Sequence, residues 1–82
     1  MSDKELKIDR EINVKDEFCP YPYLRSKLAL EEMEIGETLR ILVNTASSIR
    51  DVPRSFEEAG QKIVQTKQLN DTDWEILVQK QV

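Results

Sequence analysis

The chain contains no histidine and only one cysteine, Cys19. Without histidine, Cys-His and Ser-His-Asp hydrolytic arrangements are unavailable, and so is the commonest metal ligand. One thiol cannot complete a zinc site, a Cys-x-x-Cys redox couple or an intramolecular disulfide, so no metal is expected and a reducing compartment is. Uninterrupted apolar runs stop at three residues, as in Ile41-Leu42-Val43 and Ile76-Leu77-Val78. They are too short for a membrane span or the apolar region of a secretory signal, so a cytoplasmic protein without a membrane partner is expected. Positive charge is also in short supply: twelve Lys and Arg face sixteen Asp and Glu, for a net charge of −4. That sign disfavours direct binding to phosphate backbones. With two glycines and three prolines, the chain is neither low-complexity nor fibrous.

What is present fits one small domain over residues 1–82, with a modest core and chemistry near its surface. Leu6, Ile8, Ile12 and Val14 alternate with polar residues, which predicts a half-buried strand over about 6–14. A helix is expected to open at Pro22, run from Tyr23 to Met33 with Ser26, Ala29, Leu30 and Met33 on one face, and stop at Gly36. Leu39, Ile41 and Val43 line one side of a second strand. Ser48-Ile49-Arg50-Asp51 has capping-box spacing, so the second helix is expected to begin there, with Pro53 in or just after its first turn and Gly60 at its end. Residues 62–68 and 74–78 read as third and fourth strands joined by the polar turn Asn70-Asp71-Thr72-Asp73. The expected fold is α/β (α+β): a βαβαββ two-layer sandwich, its four-stranded mixed sheet carrying both helices on one face. Trp74 is expected in the core. Leu42 and Leu77 are expected on the bare face, as isolated leucines or as a small docking or dimer patch.

The candidate reactive group is Cys19. A lone cysteine in a small intracellular protein is commonly an apolar filler, but a filler needs no flanking prolines. Pro20 and Pro22 each hold the preceding residue in extended geometry, so the thiol rides on a stiff approach to a helix. The unpaired N–H groups of a first helical turn favour thiolate, and such settings lower a cysteine from about 8.5 into the range of roughly 3.5–7.5. Arg25 and Lys27 oppose the helix dipole, at a cost of up to about 0.3–1 kcal/mol each if exposed. They are candidates for steadying a thiolate or meeting an acidic partner.

These residues resemble the sulfur-carrier proteins called TusA-like or SirA-like, whose hallmark is a Cys-Pro-x-Pro segment opening the first helix. The likeness extends over Pro22, Leu24, Lys27, Ala29, Leu30, Gly36-Glu37, the strand to Val43, Asp51-Val52-Pro53, Gly60 and Ile76. It implies that Cys19 receives sulfur as a persulfide from a donor such as a cysteine desulfurase and hands it to an acceptor sulfurtransferase, with Pro20 and Pro22 presenting it and no organic cofactor. A carrier must lack a neighbouring thiol that would discharge the persulfide, so the missing second cysteine suits it. The chain departs from the family pattern at Asn13, where Asp is typical, at Asp16, where Gly is typical, and at Asn44-Thr45-Ala46, where Asp-Asp-Pro is typical. Two other readings stand beside the carrier: a non-catalytic interaction module, and a thiol sensor oxidised at Cys19.

Overall fold

Alternation of apolar and polar residues becomes, in a computed structural model describing residues 8–17 and 21–82, a four-stranded sheet in the order β1-β2-β4-β3. The elements follow the expected sequence: β1 Arg10–Asn13, α1 Tyr21–Glu31, β2 Thr38–Val43, α2 Ala46–Glu58, β3 Lys62–Gln68 and β4 Trp74–Gln79. The crossover through α1 leaves β1 and β2 parallel, while β4 runs antiparallel to both β2 and β3. The register aligns Ile12, Ile41 and Ile76 across three strands, so one face of the sheet is apolar along a continuous row.

Both helices cover that face. Ala29, Leu30 and Met33 from α1 and its C-terminal turn, and Val52 and Phe56 from α2, join Val14, Leu39, Ile41, Val43, Ile76 and Val78 in one buried cluster. Ser26 is fully buried on the same side of α1. Tyr23 meets Phe56 edge to face, ring centres 4.9 Å apart, which joins the helices to each other. Trp74 packs against the cluster from β4, as its alternation with Ile76 and Val78 predicts.

Several boundaries differ from expectation for local reasons. Residues 6 and 7 of the expected first strand lie outside the described residues, and β1 ends at Asn13. Val14 still prolongs its pairing by donating its N–H to Leu42 O at 3.0 Å. The first helix opens at Tyr21 and ends at Glu31. Gly36 does not stop it. With φ 96, Gly36 sits in the turn leading into β2, where its N–H reaches Lys80 O at 2.8 Å. The α1 C-terminus instead receives a cation from another element: Lys80 Nζ lies 2.8 Å from Met33 O and 3.3 Å from Glu31 O. A positive charge there offsets the exposed carbonyls of a helix with no basic residue in its own last turn.

The second helix begins before Ser48. Thr45 is its N-cap, its hydroxyl accepting the Ser48 N–H at 3.4 Å, so the 48–51 capping box does not form. Pro53 consequently lies well inside α2, where it leaves the carbonyl of Ile49 without the usual N–H four residues on.

The face expected to be bare carries a polar lattice. Arg40 Nε donates to Glu75 Oε1 at 2.6 Å and its Nη1 to Glu11 Oε1 at 2.9 Å, while Gln65 Nε2 donates to Glu75 Oε2 at 3.0 Å. The Glu75 bond above all holds the guanidinium above its ordinary value, against the opposing effect of burial. Leu77 lies in register between Arg40 and Gln65 and is 2% exposed, so it is no surface leucine. With Leu42 half-buried as well, the expected docking patch at Leu42 and Leu77 is not there.

Candidate functional site at the entrance to the first helix

Val14 to Glu17 form a turn in which the Glu17 N–H reaches Val14 O at 3.3 Å. Its third residue, Asp16, has φ 68, the left-handed conformation usually filled by glycine or asparagine. A β-carbon there costs about 1–2 kcal/mol unless the side chain is held, and Asp16 is held. Asn44, at the end of β2, accepts the Asp16 N–H on Oδ1 at 2.7 Å and donates from Nδ2 to Asp16 Oδ1 at 2.9 Å. Two of the positions that depart from the family pattern are therefore partners. The third, Asn13, caps the same turn, its Oδ1 accepting the Lys15 N–H at 2.9 Å.

Lys15 carries the anchoring further. Its ammonium lies 3.2 Å from Asp73 Oδ2 in the β3–β4 turn. The Asp73 carboxyl is pulled below the usual carboxylate range, first by Asn70 and then by Lys15 and Thr72. Glu17 pairs with Arg25 on α1. The segment leading to Cys19 is thus tied to β2, to the β3–β4 turn and to the helix it is about to enter.

Cys19 and Pro20 lie outside the described residues. Of the other expected site residues, Pro22 is the second residue of α1 and is buried, a position where the missing N–H is no loss because first-turn N–H groups have no partner within the helix. Its carbonyl accepts the buried Ser26 hydroxyl at 2.6 Å. Arg25 and Lys27 are separated by the turn of the helix. Arg25 borders an open groove with Arg10, Ile12, Leu28 and Glu32, whereas Lys27 borders a cavity of about 240 Å³ with Leu30, Phe56 and Lys80. Sequence reasoning missed Glu17 as the Arg25 partner. It also missed that Tyr21, Leu24 and Leu28 form an exposed apolar stripe on α1 at 62%, 46% and 55% exposure. Their spacing of three and four residues was the available signal.

A mixed-sheet α/β sandwich with a lone cysteine and two prolines at the entrance to its first helix is a recognisable class of small thiol protein. The family model described as sulfurtransferase TusA matches residues 10–80, and the chain belongs to that family. A protein of Archaeoglobus fulgidus named "Putative sulfur carrier protein" is 32% identical over 77 residues, covering 94% of this chain and 88% of its own. The "Sulfur carrier protein TusA" of Allochromatium vinosum is 27% identical over 60 residues, covering 73% and 79%. In three dimensions the SirA-like protein of Desulfitobacterium hafniense superposes with a TM-score of 0.78 at 23% identity, over 89% of this chain and 99% of that one, which shows a shared fold.

Proposed function

We propose that this chain is a cytoplasmic sulfur carrier that takes up sulfane sulfur on Cys19 and passes it to another protein. The observation that carries the reading is family membership over residues 10–80, together with a single cysteine placed two residues before α1. The Cys19 thiolate attacks the outer sulfur of a donor persulfide. The sulfur–sulfur bond of the donor breaks, the donor thiolate leaves with the electron pair, and Cys19 holds the outer sulfur with its proton. An acceptor thiolate then attacks that outer sulfur and releases Cys19 as thiolate, so nothing is oxidised or reduced overall. Pro20 and Pro22 present the sulfur, and Arg25, already paired with Glu17, ties the helix to the segment that carries it. The donor is a protein such as a cysteine desulfurase and the acceptor a sulfurtransferase.

Incubation with a cysteine desulfurase and cysteine tests this. Intact mass spectrometry is expected to show one added sulfur that a reducing agent removes and that Cys19→Ser prevents. Sulfur uptake by Cys19→Ser would contradict it.

The exposed stripe Tyr21, Leu24 and Leu28 also suits an interaction module that needs no thiol. On that reading Cys19→Ser keeps full partner binding and full activity.

A further inference from the structure

We propose that the outer face of α1 is self-complementary and that two copies of this chain pair through it, helix against helix and antiparallel. The proposal goes beyond the carrier reading and does not depend on Cys19. Along this face Tyr21, Leu24 and Leu28 form the exposed apolar stripe. Charged residues flank it on both sides. Arg25 and Glu32 share one groove with Leu28, whereas Lys27 and Glu31 border the cavity on the other side of the helix. On each flank the cation comes first and the anion follows, the order that opposes the dipole of α1 within a single chain.

In an antiparallel pair the same flank of each helix meets its counterpart, so the cation-first order becomes complementary. Arg25 of each copy faces Glu32 of the other along one flank, and Lys27 faces Glu31 along the other. Both flanks require one register: the midpoint between Arg25 and Glu32 and that between Lys27 and Glu31 fall at residues 28–29, which brings the two Leu28 side chains together at the axis. Arg25 and Glu32 already pair with Glu17 and Arg10, yet each keeps more than half of its side chain exposed. Among the described residues, the ion pairs leave Lys27 and Glu31 out. At 11 residues α1 is about 16 Å long, so the shared area falls short of the roughly 800 Å² per partner of a stable complex, and the pairing depends on concentration.

Sedimentation equilibrium of the full chain reads the pairing, with a reducing agent present so that no disulfide through the lone cysteine contributes. From about 10 μM to about 1 mM the weight-average mass is expected to climb from 9.6 kDa toward twice that value, and less steeply at high salt. Lys27→Glu and Glu31→Lys each replace two attractive contacts with two repulsive ones and are expected to weaken the pairing about tenfold. Glu31→Lys also lowers the net negative charge, so general repulsion predicts the opposite change for that variant. An equimolar mixture of the two variants restores the contacts between unlike copies, and the double variant restores them between like copies. Both are expected to pair as the wild type does. A wild type that stays at 9.6 kDa at about 1 mM, reversals that leave the pairing unchanged, or a mixture no more associated than its components would overturn the proposal. Circular dichroism confirms that each variant is folded. Failure here leaves sulfur uptake by Cys19 intact, whereas uptake by Cys19→Ser would remove the carrier reading itself.

Discussion

Glu75 is a carboxylate whose side chain is only 11% exposed, and it survives there because Arg40 and Gln65 bond both of its oxygens. Glu11 reaches the same guanidinium from a side chain that is 47% exposed. The two carboxylates should therefore differ in worth. Glu75→Ala is expected to destabilise by about 1–3 kcal/mol, because it removes the partner of the Nε of a partly buried guanidinium and of the Gln65 amide. Glu11→Ala is expected to cost less than about 1 kcal/mol, as exposed pairs do. Urea unfolding midpoints check both, and equal losses would contradict the burial argument. Asp73 makes a pH-dependent prediction. Because its folded value is depressed, its contribution is present above the unfolded carboxylate value of about 3.9 and is lost as pH falls through the folded value. The stability gap between the wild type and Asp73→Asn is accordingly expected at neutral pH and should close on acidification. A gap independent of pH would contradict this.

The helices show how far local sequence pattern reaches. In α1 and its C-terminal turn the buried set Ser26, Ala29, Leu30 and Met33 was readable from spacing alone, because burial follows the helical period wherever a sheet lies beneath. The start of α2 was not readable. Thr45 and Ser48 are both acceptable caps, and only the tertiary path from β2 through Asn44 decides between them. Thr45→Ala is therefore expected to cost about 0.5–2 kcal/mol in thermal or urea unfolding, while Asp51→Asn changes little because no capping box exists for it to complete. The reverse ranking would restore the later start. The capping of α1 by Lys80 was equally hidden, since the two groups meet only when β4 is placed beside β2. Lys80→Met is expected to fray the last turn of α1, seen as faster amide exchange there without a change in α2.

Across the whole molecule, alternation gave β2 and β4, and the crossover and short-turn rules gave the parallel β1–β2 and antiparallel β3–β4 pairings, while the β2–β4 pairing came only with the fold. What alternation could not give was the content of the second face. Leu77 is buried there because Arg40, Glu75 and Gln65 bond to one another beside it, a pairing between strands that no single strand predicts. The candidate site divides in the same way. Cys19 and its prolines stand out in the sequence, whereas the supports of the segment before them, Asp16 with Asn44 and Lys15 with Asp73, join residues 28 and 58 apart. The proposed carrier role predicts that the folded chain makes Cys19 more nucleophilic than a free thiol. The direct measurement is its alkylation rate near neutral pH in the native chain against the same chain unfolded in urea. Faster modification of the native chain is predicted, and a native thiol that reacts more slowly than the unfolded one would contradict the account.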